Sequence, residues 1–486
     1  TKPLTVKRSI VTKSGSFTPV SGEVVNLSLE GTANSYIVSE QGTYSINASI
    51  IGNGPSGIVP NAGFHTADPE ISPVSAELLW EDKGGIISVC GFKAEEKEII
   101  FSTTGKKGNA LIAAKDEDGT ILWSWHIWVT DTPKDQTYIN NAGRFEVMDR
   151  NLGAISSEKD SGDDSVRDTD GMVYQWGRKD PFAPRLFTRT DAYITYTIKE
   201  SVENPTHFVG TSTWMNPDNK KLWEPDMKTI YDPCPQGYRV AVSDVWAGFL
   251  NGDDQYNKES YNVEGEFDKG WNFIIDSLGT KAWYPVTPLI YYYYYYSGND
   301  YQYRNNGSHI WSSDCNEDEN PRALRFYYND ENNMYLNVSS EEDDGHAFPV
   351  RCMKDDSLAV SAPQMRVLGV TDTTATSITV AAEIVGASGS EEIKYGFILG
   401  VDEDLNTENA LQDVGQGNDG RAFFKASFTG LDEFHEYCMR SYIVCESGLE
   451  YGDVFKVATL FDGDIMDLSA DGTANSYIVS SYGKYK

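Results

Sequence analysis

Hydrophobic and polar residues alternate in short runs through the first part of the chain, and turn sequences rich in glycine, asparagine and aspartate separate the runs. The clearest run spans 121–129 and predicts a β-strand, because successive side chains of a strand point to opposite faces of a sheet. Its buried face is expected to contain Ile121, Trp123, Trp125, Ile127 and Val129. His126 falls on the other face, where we expect a half-exposed structural residue rather than a catalyst or a ligand. The pattern predicts a β-sandwich over 24–132, preceded at 1–23 by a linker or the end of another module.

A second stretch of alternation, at 377–384, predicts a sheet with one face open to solvent. The residues expected on the solvent side are Ser377, Thr379, Ala381 and Glu383. Further along, the spacing of Leu431 and Tyr437 resembles the fibronectin type III module, in which a leucine and a tyrosine form a corner between two sheets. The resemblance implies a fibronectin type III-like β-sandwich over 362–461, a module that more often spaces or presents another domain than carries an active site.

The middle segment, 136–355, departs from this pattern. It is rich in tryptophan, tyrosine, asparagine and glycine, and one helix is predicted at 242–250 with Ser243 as its N-terminal cap. Five motifs occur in order: Met148–Gly153, Gly171–Gly177, Asp232–Arg239, Trp311–Ser313 and Val350–Cys352. Together they resemble the major paralogous domain first described in Fibrobacter and common in surface proteins and lipoproteins of gut Bacteroidetes. The resemblance implies a C-type-lectin-like α+β fold and says little about activity.

The family resemblance also implies a disulfide between Cys234 and Cys352, since the closing strand of lectin-like folds returns beside the early core. Two buried thiols in a reduced protein are the alternative. Cys90 and Cys315 would then remain single. Cys438 and Cys445, an odd number of residues apart, would point to opposite faces of one strand, and we expect two buried free thiols there. Taken together, the chain is predicted to be mainly β with a smaller α+β domain.

A long-range repeat connects the two ends of the sequence. The nine residues 31–39 recur identically at 472–480, an offset of 472 − 31 = 441 positions. A period of this length indicates a tandem of whole domains rather than a solenoid. Residues 467–486 are therefore interpreted as the truncated start of a second copy of the first sandwich. Disorder of this segment and its addition to an exposed sheet edge remain two open alternatives.

The charge of the chain narrows the classes of partner. There are 40 Lys and Arg residues against 73 Asp and Glu, which gives a formal net charge of -33. Phosphate would repel such a polyanion, so nucleic acid is not an expected partner. No run of about eighteen apolar residues occurs, and no membrane-spanning segment is predicted. The chain starts at Thr1, which leaves open an export signal or a lipid anchor in a parent protein.

Aromatic residues supply the first candidate binding site. Six consecutive tyrosines at 291–296 would place three rings on each face of a strand, and one face could offer a platform for sugar rings. The candidate ligand-binding residues are Tyr292, Tyr294, Tyr296, Tyr301, Tyr303 and Trp311. The alternative is a tyrosine-rich strand that is covered on both sides.

Acidic loops supply the second candidate site. Calcium takes six to eight oxygen ligands, and one loop offers Asp163, Asp164, Asp168 and Asp170. No loop matches the EF-hand pattern, and solvated acidic surface is the alternative. Apart from calcium, no cofactor is expected. The six histidines show no metal-ligand spacing, and the motifs of hydrolases and nucleotide-binding enzymes are absent.

These observations favour a non-enzymatic multidomain protein at the extracellular or outer-membrane surface. We expect an adhesin or a carbohydrate-binding module, displayed on β-sandwich spacers, whose partner is a glycan or a host or surface protein. A purely structural stalk or fimbria-associated subunit is the second hypothesis. The third is a glycan-processing enzyme, for which two positioned carboxylates would suffice.

Overall fold

A computed structural model describes most of the chain. The described residues are 24–29, 31–59, 64–65, 67–157, 168–183, 185–191, 193–265, 267, 269–292, 307–330, 333–355, 364–385, 393–418, 423–445, 448–461, 465–466, 473, 475–477 and 484–485. They fall in two compact units. The first comprises the described residues within 1–57, 61–64 and 69–357, and the second those within 58–60, 65–68 and 358–486.

Strands dominate both units, so the prediction of a mainly β chain is confirmed. The strands up to residue 129 are β1 (Val24–Asn26), β2 (Ser35–Val38), β3 (Thr43–Asn47), β4 (Ser75–Glu81), β5 (Ile87–Lys93), β6 (Glu98–Thr103), β7 (Gly108–Lys115) and β8 (Ile121–Val129). They form two four-stranded sheets, of order β1-β3-β6-β5 and β2-β8-β7-β4. Strand β8 has the predicted bounds. On its predicted buried face, Ile121 is partly exposed and the other four residues are buried.

The described part of the middle segment contains thirteen further strands. It also contains all described helices except the 3-10 turn Gly54–Gly57. The strands are β9 (Asp135–Asn140), β10 (Gly143–Asn151), β11 (Val173–Gln175), β12 (Thr188–Arg189), β13 (His207–Phe208), β14 (Tyr238–Val240), β15 (Gly270–Ile274), β16 (Lys281–Pro285), β17 (Gly307–Cys315), β18 (Pro321–Asp330), β19 (Asn333–Glu341), β20 (Ala347–Pro349) and β21 (Arg351–Lys354). The helices are α1 (Ile198–Glu203) and the 3-10 helices Ser243–Phe249 and Lys258–Ser260, and another 3-10 turn lies earlier at Gly54–Gly57. None of the helices in the described ranges combines the length and apolar composition needed to cross a bilayer.

One hydrophobic core joins the first sheets to the middle segment. Trp80 and Trp128 of the first sheets belong to the same buried cluster as Trp176 and the pair Cys234 and Cys352. The two cysteines form a disulfide, as the family resemblance implies. The position between 132 and 136, where a domain boundary was predicted, therefore lies inside a single compact unit.

The shared core explains why the prediction that His126 is half exposed was wrong. His126 is only 1% exposed, because the second face of β8 is covered as well. On that face, the indole Nε1 of Trp128 donates to the carbonyl of Ala154 in the middle segment at 3.0 Å. The His126 ring lies between the side chains of Ser35 (Nδ1 to Oγ, 3.1 Å) and Asn109 (Nε2 to Oδ1, 2.9 Å). Burial lowers the pKa of His126 to about 3, so the ring is neutral at neutral pH.

Two sheets of the middle segment matter for the sites described below. Strands β14, β21, β10 and β9 form one sheet in that order, and β17, β18 and β19 form an antiparallel sheet of three. The predicted helix at 242–250 is a 3-10 helix, and Ser243 does not cap it. The backbone N–H and the hydroxyl of Ser243 instead donate to the two carboxylate oxygens of Asp314 on β17, at 2.7 and 2.6 Å. The carboxylate of Asp314, distant in sequence, therefore caps the start of this helix, which is the role predicted for Ser243.

The second unit contains the strands of the predicted fibronectin type III-like segment. They are β22 (Gln364–Thr373), β23 (Ser377–Val385), β24 (Ile393–Gly400), β25 (Gln412–Asn418), β26 (Phe423–Thr429), β27 (Glu436–Cys445) and β28 (Gly448–Ala458), in sheets of order β22-β23-β26 and β25-β24-β27-β28. The hydroxyl of Tyr437 accepts a hydrogen bond from the Asp432 N–H at 2.9 Å, beside buried Leu431.

The predicted solvent face of β23 is open only in part. Ser377 and Thr379 are partly exposed, whereas Ala381 is 0% and Glu383 2% exposed. Glu383 is buried because the guanidinium of Arg366 pairs with it at 2.6 Å. Such pairing makes a buried carboxylate tolerable.

Three cysteines are free thiols in the described part of the chain: Cys90 and Cys438, which are buried, and Cys315, which is partly buried. This agrees with the expectations for these three. The side chain of Cys445 lies outside the described residues.

The repeat appears in the backbone as well as in the sequence. In the first copy β1 pairs in parallel with β3, with Val24 opposite Thr43. Near the other end of the chain, β29 (Ile465–Met466) pairs in parallel with β30 (Lys484–Tyr485), with Ile465 opposite Lys484. Both pairs are related by the same offset, since 465 − 24 = 441 and 484 − 43 = 441. The second copy therefore repeats the first strand pairing of the first copy.

Candidate binding surface

Of the predicted tyrosine platform, Tyr292 lies within the described residues, together with its neighbour Tyr291. Both are partly exposed. The Tyr292 ring stacks on His346 with centroids 4.8 Å apart, and the Tyr291 ring meets the same imidazole edge-on at 4.8 Å. Arg189 donates to the carbonyls of Tyr291 and Tyr292 at 2.8 and 2.7 Å, which anchors the start of the run. The candidates Tyr294, Tyr296, Tyr301 and Tyr303 lie outside the described residues.

Trp311 is a core residue in this structure. It is 0% exposed, its indole Nε1 donates to the carbonyl of Tyr174 at 2.8 Å, and its ring centroid lies 4.4 Å from that of Phe348. Both faces of β17 are covered at this point, so Trp311 offers no ring face to a ligand. The family resemblance implies that Trp311 lies near the tyrosine run, but its strand enters the core.

Two buried histidines, His309 of β17 and His346, lie beside the ring of Tyr291. The ring of His309 lies 6.5 Å from that of Tyr291 and 4.7 Å from that of Phe348. Burial lowers the pKa of His346 to about 3 and, helped by the positive charge of Arg325, holds the pKa of His309 well below its usual range. Both rings are therefore neutral at neutral pH. We call Tyr291, Tyr292, His309, His346 and Phe348 the histidine cluster.

A second group of aromatic residues lies beside this cluster. Tyr327 of β18 stands directly opposite Tyr335 of β19, and their rings stack with centroids 5.3 Å apart and planes 14° apart. Tyr256, from the loop before the 3-10 helix Lys258–Ser260, adds a third ring 5.1 Å from Tyr335. Tyr256 is 70% exposed, and the other two are partly exposed. We call these three residues the tyrosine face.

The tyrosine face follows from strand alternation. Phe326 and Leu336, the neighbours of Tyr327 and Tyr335 in sequence, are 0% exposed and pack into the core on the other side of the sheet. Because adjacent side chains of a strand alternate between faces, the two tyrosines point away from that core. The sheet therefore has a buried side and a side with partly exposed rings.

Polar groups lie around the stacked rings. The guanidinium of Arg325 lies 5.4 Å from the centroid of Tyr335, and the Asn337 amide donates to the Tyr335 hydroxyl at 3.2 Å. Burial raises the pKa of Tyr327, and the nearby Tyr256 raises it further. The Tyr327 hydroxyl therefore stays protonated at neutral pH. The surface thus combines flat apolar rings with hydroxyls, an amide and one guanidinium.

The histidine cluster and the tyrosine face lie on one side of the same sheet. His309 of β17 pairs directly with Arg325 of β18, and directly paired residues have side chains on the same face. The Arg325 guanidinium also lies 3.4 Å from the Glu342 carboxylate. The same carboxylate lies 3.7 Å from His309 Nε2. Burial raises the pKa of Glu342. The two aromatic groups are thus linked by a partly buried ionic contact.

Sequence reasoning missed the tyrosine face. The available signal was the alternation in Arg325-Phe-Tyr327 and Tyr335-Leu-Asn337, which separates apolar from aromatic and polar positions. What the sequence does not contain is the pairing of these two strands. The approach of Tyr256 from a loop about 80 positions earlier also depends on the tertiary structure.

The calcium candidates divide between described and undescribed residues. Asp163 and Asp164 lie outside the described residues. Asp168 forms an ion pair with Lys83 at 3.0 Å, and Asp170 is 0% exposed, with its backbone carbonyl accepting from the Asn151 amide. Within the described ranges, no group of three or more His, Cys, Asp or Glu residues is arranged to hold a metal ion.

Comparison with known proteins leaves the family of this chain open. No protein-family model matches it, and no curated protein matches it. The sensor domain of the anti-sigma factor RsgI4 of Pseudobacteroides cellulosolvens is similar to 21% of this chain over 97% of its own length, at 12% identity and a TM-score of 0.16. The match to a β-glucuronidase of Bacteroides uniformis covers 23% of this chain and 15% of the β-glucuronidase chain, at 8% identity and a TM-score of 0.16. Red sea bream transglutaminase covers 79% of this chain and 75% of its own, at 10% identity and a TM-score of 0.16. TM-scores this low do not establish a shared fold.

Proposed function

We propose that this chain is a non-enzymatic binding protein of the cell surface, an adhesin or a glycan- or protein-binding module carried on β-sandwich domains. The observation that carries the proposal is the tyrosine face. The ring centroid of Tyr335 lies 5.1 Å from that of Tyr256 and 5.3 Å from that of Tyr327, and Tyr256 is 70% exposed. Aromatic rings with polar edges are enriched at binding surfaces because they combine apolar area with hydrogen-bonding groups.

The chemistry of this surface suits a glycan. The apolar C–H faces of a sugar can lie on the rings of Tyr256 and Tyr335, while its hydroxyls meet the Arg325 guanidinium and the Asn337 amide. Cross-strand stacking holds Tyr327 and Tyr335 in place before a ligand arrives, which reduces the entropy lost on binding. A protein partner that inserts an aromatic or aliphatic side chain would use the same surface.

The ionisable groups near this face support binding rather than catalysis. His309 and His346 are 7% and 5% exposed, and their depressed pKa values keep them neutral. Glu342 lies against Arg325 and is partly buried. General acid or base catalysis needs a titratable group within hydrogen-bonding reach of the substrate. Tyr256 is exposed and Tyr327 and Tyr335 are partly exposed, whereas both histidines are buried and Glu342 is partly buried.

A location outside the cell is part of the proposal. A disulfide between Cys234 and Cys352 is typical of proteins that mature in an oxidising compartment. The motif resemblance to the major paralogous domain, with its C-type-lectin-like fold, favours the same location and a link to Bacteroidetes surface lipoproteins. An adhesin would also benefit from repetition, because linked weak sites gain avidity through their effective concentration.

A structural stalk is the second candidate function, and the repeated strand pair favours it. The pairing of β1 with β3 recurs in β29 and β30 at the same offset, which suits a protein that gains length by adding copies. In a pure stalk the tyrosine face would bind nothing, so one experiment separates the two functions.

The test is glycan-array and biolayer binding with the full chain and with Tyr256→Ala and Tyr335→Ala. We expect saturable binding by the wild type and about tenfold or greater loss of affinity in each variant. Tyr193→Ala is the matched control, because Tyr193 is 95% exposed. Thermal unfolding of each variant checks the fold. Binding that both variants retain in full would contradict the assignment of the site, and no saturable binding by the wild type would favour the stalk.

A further inference from the structure

One groove within the described residues lies away from the aromatic rings. It has a volume of about 440 Å³, within the range of small-molecule sites, and it opens between β9, the 3-10 helix Ser243–Phe249 and the end of β15. Its polar lining consists of Asn140, Asn141, Asn251, Asn262, Asp276 and Ser277. We call it the asparagine groove.

We infer that the asparagine groove is a second binding site, and that its ligand is a neutral saccharide. The inference deepens the proposed function by adding a site and a ligand class, and it rests on that function only for the idea that the chain binds glycans. Four side-chain amides line one groove, and the exposed ones, Asn141 and Asn251, carry both donors and acceptors of the kind that sugar hydroxyls require.

The groove is preformed by hydrogen bonds that tie its walls together. The Asn140 amide donates to the carbonyls of Asp244 and Val245 at 2.9 and 3.1 Å, which joins β9 to the 3-10 helix. The Asn262 amide donates to the Gly248 carbonyl at 2.7 Å. These walls do not have to be ordered when a ligand binds, which favours affinity.

Two of the amides that line the groove are exposed. Asn141 and Asn251 are both exposed, and the Asn251 amide donates to Asn262 Oδ1 at 3.0 Å. Such paired amides present a fixed row of donors and acceptors. Because neutral hydroxyls can both donate and accept, they match this row better than a carboxylate or an ammonium group does.

The charge of the lining decides between neutral and acidic saccharides. Asp276 is the one charged residue among the groove's lining residues, and no Lys or Arg is among them. Hydrogen bonds from Thr280 and Leu278 stabilise its carboxylate and lower its pKa, so it is ionised at neutral pH. An anionic sugar would meet a like charge without a cation to compensate. A neutral sugar can donate hydroxyl hydrogen bonds to the same carboxylate.

An apolar surface completes the site. Ile139, on the rim, is 50% exposed, and the floor is formed by the buried side chains of Tyr138, Val245 and Phe249. A saccharide has apolar C–H patches between its hydroxyls, and Ile139 offers a surface for one of them. An exposed isoleucine in a groove of amides is otherwise unfavourable, since it leaves apolar area in water.

The experiment uses the full chain with the isoleucine δ1-methyl groups labelled for NMR, so that the Ile139 methyl reports on the groove. The probes are mannohexaose, cellohexaose, maltohexaose and the acidic hexagalacturonate. We expect at least one neutral hexasaccharide to shift the Ile139 signal saturably, with hexagalacturonate at least tenfold weaker. Ala247→Arg should remove this binding, because Ala247 lines the groove and an arginine would fill it. Asn251→Ala should weaken it about fivefold or more through the loss of an amide.

Tyr256→Ala is the control, because it alters the tyrosine face and not the groove. Retained Ile139 shifts in Tyr256→Ala, with loss in Ala247→Arg, support the inference. Equal binding of hexagalacturonate, no response to any neutral probe, or neutral binding that both groove variants retain would each overturn it. Glycan binding that disappears only in Tyr256→Ala would overturn the groove site and leave the proposed function standing.

Discussion

Removal of the disulfide between Cys234 and Cys352 should cost far more stability than removal of a buried free thiol. The bridge joins residues 118 positions apart in the middle segment, and both sulphurs belong to the shared core. In the chain-entropy account, a cross-link that closes a loop of this length stabilises the folded state by about 5 kcal/mol at 25 °C. We expect the double variant Cys234→Ala/Cys352→Ala to lose about 3 to 5 kcal/mol.

The assay is urea unfolding followed by tryptophan fluorescence. All 11 tryptophans lie between Trp80 and Trp311, so the signal reports the first compact unit alone. Cys90→Ala is the matched control, since it removes a buried free sulphur from the same unit and should cost about 1 kcal/mol. A double variant that loses no more than twice the loss of Cys90→Ala would refute the loop-closure argument.

Two further predictions concern buried ionisable groups. His126→Gln should make the folded protein less sensitive to acid. The imidazole of His126 binds a proton near pH 6.5 in the unfolded chain and only near pH 3 in the folded chain. In the wild type this difference lowers the free energy of unfolding as the pH falls, by about 2 kcal/mol at pH 5. Urea titrations at pH 7 and 5 measure this, and parallel pH profiles for variant and wild type would contradict it. Lys220→Met should destabilise the folded chain by about 3 kcal/mol, because the side chain of Asp344, 1% exposed and 2.5 Å from the Lys220 ammonium, would stay buried without this cation. Lys93→Met, at an exposed ion pair, is the control with no measurable loss expected, and an equal effect of both changes would count against the reasoning.

Local patterns predicted several elements of this protein correctly. Strand β8 has the bounds expected from alternation at 121–129, and the strand pairing of the repeat recurs at 465 and 484. The bridge between Cys234 and Cys352 came from a family resemblance, not from spacing alone. The strand could be predicted because alternation depends on neighbouring residues, and the repeat because identity is visible in the sequence, whereas the bridge needed the fold of the family.

Other expectations failed where distant segments meet. His126 is buried because the middle segment covers the second face of β8, and Ser243 leaves its capping role because Asp314 on β17 accepts both of its hydrogen bonds. Trp311 follows the tyrosine run in sequence, but β17 carries it into the core. The alternation along one strand predicts which side chains share a face. It does not predict which distant segments pack against that face.

The amino-acid sequence alone determined the mainly β character of the chain, its repeat and its acidic charge, because periodicity, identity and composition are properties of the chain itself. Only the tertiary structure decided which aromatic residues are exposed. Tyr256, Tyr327 and Tyr335 come together because a loop and two paired strands converge, and the asparagine groove forms where β9, a 3-10 helix and β15 meet. The physical reason is that exposure and hydrogen-bonding partners depend on contacts between segments far apart in sequence, and packing of the whole core determines those contacts.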